Sequence, residues 1–186
     1  MELLKAKQVN KMLFNNNEIK KVNAKTFYNA INRNWNGLKN KELVDVHSLN
    51  DYKKTLNFLS SDKTCGFAIT ENGDLISVFN NSKCKGFLRA ISSFIKSNVK
   101  TLDCYQSSKV MDLSKVYTKI FNLKVASVLK FDYDFLVEEK GKEYADRFVE
   151  KYGNSNVAFM VNTNKKIKVK YFTDYEKALQ YRNSYC

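Results

Sequence analysis

Apolar positions along this chain switch between a period near 3.6 and a period of 2, so the sequence predicts helices interleaved with strands. The richest stretch runs from Asn72 to Asp132 and reads strand, basic turn, amphipathic helix, strand, helix, strand. Its first strand, Leu75–Phe79, follows the run Cys65–Thr70 across Glu71-Asn72-Gly73-Asp74. An Asn-Gly pair between two such runs predicts a β-hairpin. Beyond the polar turn Asn80–Gly86, positions Phe87, Leu88, Ile91, Phe94 and Ile95 recur with helical spacing and predict a helix to about Ser97. A strand over Thr101–Tyr105, a helix over Val110–Phe121 stopped by Asn122, and a strand over Val125–Tyr133 complete the stretch.

On either side the pattern is weaker. Residues 1–24 are polar and rich in Asn and Lys, which predicts an N-terminal appendage of short helix and loop ahead of a domain spanning 25–186. Phe27, Ala30, Ile31 and Trp35 predict a helix ending near Asn36-Gly37. Leu43–His47 alternates like a short strand, and Ser48 then caps a predicted helix over Leu49–Leu59. Downstream the reading is helix over Glu138–Tyr152, strands over Asn156–Asn162 and Lys166–Phe172, and a closing helix over Asp174–Asn183. Helices between strands imply an α/β (α+β) fold, a mixed and mostly antiparallel sheet flanked by helices. Parallel pairing is expected around the Phe87 helix.

Composition adds a packed core and a charge. Among 186 residues 44% are hydrophobic and 13% aromatic, far more than a disordered chain carries. No apolar run reaches the ~18 residues of a membrane span, and Met1–Lys7 lacks a secretory pattern, so the expected place of action is the cytoplasm, without membrane association. Proline is absent while Asn and Lys abound, as AT-rich coding gives. The net charge of +13 is concentrated early: residues 1–60 and 61–131 each carry 11 Lys+Arg against 5 Asp+Glu, whereas 132–186 carry 10 against 9. Such a balance favours polyanionic partners, either nucleic acid or a phosphate-bearing cofactor.

Candidate chemistry is sparse. His47 is the sole histidine, which excludes a Ser-His-Asp triad and any multi-histidine metal site. Cys65, Cys84, Cys104 and Cys186 show no paired spacing, so neither a zinc site nor a disulfide framework is indicated. The turn Asn80–Gly86 feeds a helix N-terminus, where backbone N–H groups and the helix dipole can hold a phosphate. Cys84 lies in that basic turn without a base to activate it. Asp103 ends a strand and reads as a capping or turn residue first. The run Lys165–Phe172 alternates lysine with apolar residues, which suits a lysine-protected edge strand or, alternatively, a nucleic-acid surface with Tyr171 and Phe172 for stacking.

Taken as a set, Val44-Asp45-Val46-His47-Ser48 with Asp51-Tyr52, Gly66-Phe67-Ala68, Gly73–Phe79, Leu102–Tyr105, Tyr117 and Asn156–Val161 resemble the general N-acetyltransferase (GNAT) superfamily. Within it the chain looks most like divergent acetyltransferase-like proteins encoded by bacteriophages. The resemblance implies acetyl-CoA as cofactor and an amine-bearing acceptor. It assigns pantetheine contacts to the strand residues Ser77, Val78 and Phe79, and the pyrophosphate to the turn at Lys83, Cys84, Lys85, Gly86, Phe87 and Leu88. It also assigns protonation of the departing thiolate to Tyr117. Two family positions differ: the phosphate turn reads Asn81–Gly86 where Gln or Arg and paired small residues are usual, and Asn122-Leu123 replaces Gly-Phe. They leave open an alternative, a catalytically inactive GNAT-fold protein whose basic surface binds a host protein or nucleic acid.

Overall fold

A computed structural model describes residues 12–14, 17–82 and 85–186. It has the α+β architecture expected, with mixed, mostly antiparallel sheet strands flanked by helices, and resolves into two compact units. One unit comprises residues up to Glu71 together with Ser77–Asn98, the other Asn72–Ile76 and Val99–Cys186.

The first unit holds β1 (Met12–Phe14), β2 (Asn17–Val22), α1 (Ala24–Trp35), α2 (Leu49–Tyr52), β3 (Thr55–Ser60), β4 (Cys65–Thr70), the later part of β5 (Asp74–Asn80) and α3 (Phe87–Asn98). Its strands follow one another in chain order, with β1, β2, β3 and β4 antiparallel. Phe27 of α1 packs edge-on against Tyr52 and Phe79, while Phe94 of α3 packs edge-on against Phe58, itself stacked on Phe67 at 4.9 Å. Helices on both faces explain why β4 is buried at five consecutive positions and reads as a continuous apolar run. Each phenylalanine buried this completely contributes roughly 2–3 kcal/mol. Gly66 is required there, because a Cβ would sit 2.7 Å from the Phe58 carbonyl oxygen.

The second unit holds the first residues of β5, then β6 (Thr101–Gln106), α4 (Leu113–Phe121), β7 (Lys124–Leu129), α5 (Tyr133–Lys140), α6 (Lys142–Tyr152), β8 (Asn156–Val161), β9 (Lys170–Phe172) and α7 (Tyr175–Asn183). Its strand order is β5-β6-β8-β7-β9. The ladder between β5 and β6 is parallel, as expected on either side of the Phe87 helix, and pairs Asp74 with Thr101 and Leu75 with Leu102. Strand β8 is antiparallel to both β6 and β7, and Ala158 to Val161 are fully buried. Asn122 ends α4 in the left-handed conformation, the role its position suggested.

Several local expectations are corrected. Within residues 1–24, the described part forms strands β1 and β2 rather than a helix and loop, and Ile19 is 1% exposed through pairing of β2 with β3. Leu43–His47 is not a strand: a short 3-10 turn covers Lys41–Leu43, and the carbonyls of Val44 and Asp45 accept from Trp35 and Ser77 side chains instead of a ladder. The Ser48 cap forms with Asp51 as a reciprocal capping box, but the helix stops at Tyr52 and Leu56–Leu59 belong to β3, where cross-strand pairing overrides helical spacing. The helix expected over Glu138–Tyr152 is broken at Gly141, whose φ of 86° no helix accommodates. Strand Lys166–Phe172 shortens to three residues. Among the described residues no helix is long and apolar enough to cross a membrane.

Candidate functional site

In the first unit the chemistry concentrates on β5. Ser77 sits mid-strand at φ 53°, a left-handed conformation rare for any residue with a Cβ. A left-handed residue inside a strand turns the flanking peptide groups away from regular ladder directions. The surroundings hold it there. Ser77 donates its hydroxyl proton to the Asp45 carbonyl at 2.9 Å, and its oxygen lies 2.8 Å from the Tyr52 hydroxyl. With the Ser77 proton committed, Tyr52 is the donor of the second bond. Tyr52 in turn accepts from the His47 backbone N–H at 3.1 Å, and its ring meets the His47 imidazole edge-on. His47 thus acts through its backbone and ring face. Val78 is half-buried and Phe79 is buried against Phe27.

The turn after β5 is partly self-satisfied. The Asn80 carboxamide oxygen accepts from the Ser82 N–H at 3.0 Å and the Ser82 hydroxyl at 2.7 Å, while the Asn81 N–H donates to the Thr64 carbonyl at 2.9 Å. Lys83 and Cys84, both expected to touch a pyrophosphate, lie outside the described residues. Lys85 and Gly86 are exposed, and Gly86 adopts φ 106° immediately before α3. Its carbonyl accepts the first helical bond, from the Ala90 N–H at 3.0 Å. The first turn of α3 carries no acidic residue, and Phe87 is buried beneath it with Leu88 half-buried. Ser77, Val78, Phe79, Lys85, Gly86, Phe87 and Leu88 therefore fall in one unit, and Tyr117 in the other.

The first unit also contains an open groove of about 700 Å³ lined by Lys21, Lys25, Lys53, Asn29, Tyr52 and Asn57 among others, with no acidic side chain in its wall. Sequence reading missed it because its three lysines come from separate elements. Its electrostatics suit an anion.

Tyr117, on α4 in the second unit, is 8% exposed and stacked on Phe121 at 5.4 Å. Burial pushes its phenol upward, with the neighbouring Cys104 adding to the shift, and burial likewise pushes the Cys104 thiol up. Tyr52 is raised by the same cause. All three groups hold their protons more tightly folded than unfolded. Their contribution to stability is complete below the ordinary thiol and phenol range and is lost as pH climbs through the folded values. We expect the unfolding free energy, followed through the urea midpoint, to hold to about pH 9 and fall above it, by up to ~1.4 kcal/mol per pH unit per group. A midpoint unchanged between pH 8 and pH 11 would refute this.

Asp103 is the other candidate that the structure explains. Arg182 of α7, 5% exposed, donates to Asp103 at 2.9 Å and lies 3.3 Å from Asp74. Thr101 donates its hydroxyl to the same Asp74 oxygen. Asp103 is therefore one arm of an ion-pair cluster, which no local sequence signal announced.

No protein-family model, curated protein or solved structure matches this chain.

Proposed function

We propose that the protein is an acetyl-CoA-dependent N-acetyltransferase of GNAT type acting on an amine-bearing acceptor in the cytoplasm, a host's cytoplasm if it is phage-encoded. The observation that carries this reading is the left-handed Ser77 in the strand that runs into Gly86 and α3. Strained, over-determined backbone is costly and concentrates where it serves a ligand. Here two side-chain hydrogen bonds fix the left-handed conformation, leaving redirected peptide groups to meet a pantetheine arm and polarise a thioester carbonyl. Gly86, Lys85 and the acid-free first turn of α3 suit a pyrophosphate. Acetyl-CoA supplies an already reactive acyl group, so the protein's task is mainly positioning. Tyr117 is the proposed proton donor, and the acid-free groove beside Tyr52 favours an acceptor with anionic groups.

The test is calorimetric titration with acetyl-CoA at low and moderate salt, with ADP and a bulk polyanion as controls for charge attraction alone. We expect saturable binding that prefers acetyl-CoA. Absence of binding at millimolar concentration would remove the reading. It would favour the alternative, a fold retained without chemistry as a basic binding or inhibitory protein. One observation supports that alternative: the Asn81 and Ser82 N–H groups of the turn are already engaged within the protein.

A further inference from the structure

We propose that the open edge of the second unit's sheet, at β9, binds single-stranded nucleic acid, with Tyr171 as a stacking platform and Lys165, Lys166 and Lys168 holding the phosphates. This inference does not depend on the acetyltransferase reading.

Strand β9 ends the strand order, so among the described residues one of its edges has no neighbouring strand. From Asn162 to Thr173 the chain carries four lysines and no acidic residue, and Lys165, Lys166, Lys168 and Lys170 are all exposed. Lysines on an edge often serve only to prevent strand pairing. That purpose does not account for Val169 at 42% and Tyr171 at 63% exposure, the latter the most exposed large hydrophobic side chain among the described residues. Side chains alternate along a strand. Lys170 and Phe172 turn onto the Tyr181 ring, at 4.6 Å and 5.7 Å, so Tyr171 projects from the opposite face, with no ring or cation partner among the described residues.

The segment is also held in place before any ligand arrives. The Tyr181 hydroxyl donates to the Lys168 carbonyl at 2.8 Å, the Lys124 ammonium to the Lys165 carbonyl at 2.9 Å, and the Lys130 N–H to the Phe172 carbonyl at 2.8 Å. A fixed cationic strip with an exposed aromatic face is what unpaired bases recognise, through charge along the backbone and stacking on the ring. An acidic peptide added as an extra strand fits less well, because only three residues are extended as strand and Lys165, Lys166 and Lys168 precede them. A duplex offers no free base face to Tyr171.

Anisotropy of a fluorescein-labelled dT20 oligonucleotide, titrated with the whole protein between 50 and 200 mM salt, tests this. We expect saturable binding whose log K falls with log salt with a slope of about −2 to −3, as three to four phosphate contacts on a single strand give. Tyr171→Ala should weaken binding on the order of tenfold with the slope unchanged. Lys166→Gln/Lys168→Gln should reduce the slope by about 1.4. Both variants alter exposed side chains, and circular dichroism is the check on their folding. No binding at 50 mM salt would overturn the proposal, as would wild-type affinity in both variants or equal affinity for duplex. Competition by poly-glutamate as effective as by dT20, with Tyr171→Ala neutral, would assign the strip to an acidic protein partner and also overturn it.

Discussion

Arg182→Ala is expected to destabilise the second unit by about 3 kcal/mol. The arginine comes from near the end of α7 and is almost wholly buried. It reaches Asp103 on β6 at 2.9 Å and Asp74 on β5 at 3.3 Å, and its guanidinium lies 5.9 Å from the Phe159 ring centroid. Asp74 and Asp103 stand close together because Asp74 pairs with Thr101, two residues before Asp103. Truncation removes the cation from between two carboxylates and leaves a void where the stem packed, so repulsion and lost packing act together. Breaking a fully buried pair costs about 3–5 kcal/mol. The two carboxylates are 29% and 37% exposed, which lets water solvate them and sets the value at the low end.

Urea unfolding measures it. At an m-value of about 2 kcal/mol/M the midpoint should drop by about 1.5 M with m unchanged. Arg182→Lys should recover only part, since a single ammonium replaces a planar fork that serves two acids. A cycle with Asp103→Asn should show strong coupling. A midpoint loss under 0.5 M for Arg182→Ala would mean that the cluster is incidental to stability.

What the sequence disclosed follows the range of the forces involved. The hairpin at Asn72-Gly73, the α3 helix and the αL stop at Asn122 rest on local backbone chemistry, and each is found where the residues put it. Leu56 and Leu59 fit a helix equally well by spacing, and pairing of Phe58 with Phe67 decided for strand. Residues 17–22 carry few apolar side chains, and their order comes from a partner strand nearly 40 residues away, beyond any local signal. The site shows the same division. Ser77 interrupts the apolar run Leu75–Phe79, a visible anomaly, but its left-handed backbone and its bonds to Tyr52 and Asp45 are tertiary. By sequence Asp103 reads as a polar residue at a strand end, but it lies within β6 opposite Phe159, and its partner Arg182 lies 79 residues on.

Tyr117→Phe is expected to lower turnover of acetyl-CoA by about a hundredfold while leaving its affinity and the protein's stability nearly unchanged. The variant keeps the ring stacked on Phe121 and removes only the hydroxyl, so packing is preserved. General acids contribute about 10²–10⁴-fold. The low end is argued from the phenol itself: burial drives its pKa upward, so full proton transfer to a thiolate of ordinary basicity, near 8.5, runs uphill. In the proposed reaction Tyr117 would act mainly by donating a hydrogen bond to sulfur as negative charge develops on it, a bond made in the transition state and absent from the ground state. Such a contact appears in kcat and leaves KM alone. It also predicts no loss of activity from deprotonation of this residue through neutral pH, because the proton is retained well past the ordinary phenol range. A Tyr117→Phe protein with wild-type kcat and unaltered acetyl-CoA binding would return Tyr117 to the core as a packing residue, and the hydrogen-bond donor to the leaving sulfur would have to be sought elsewhere.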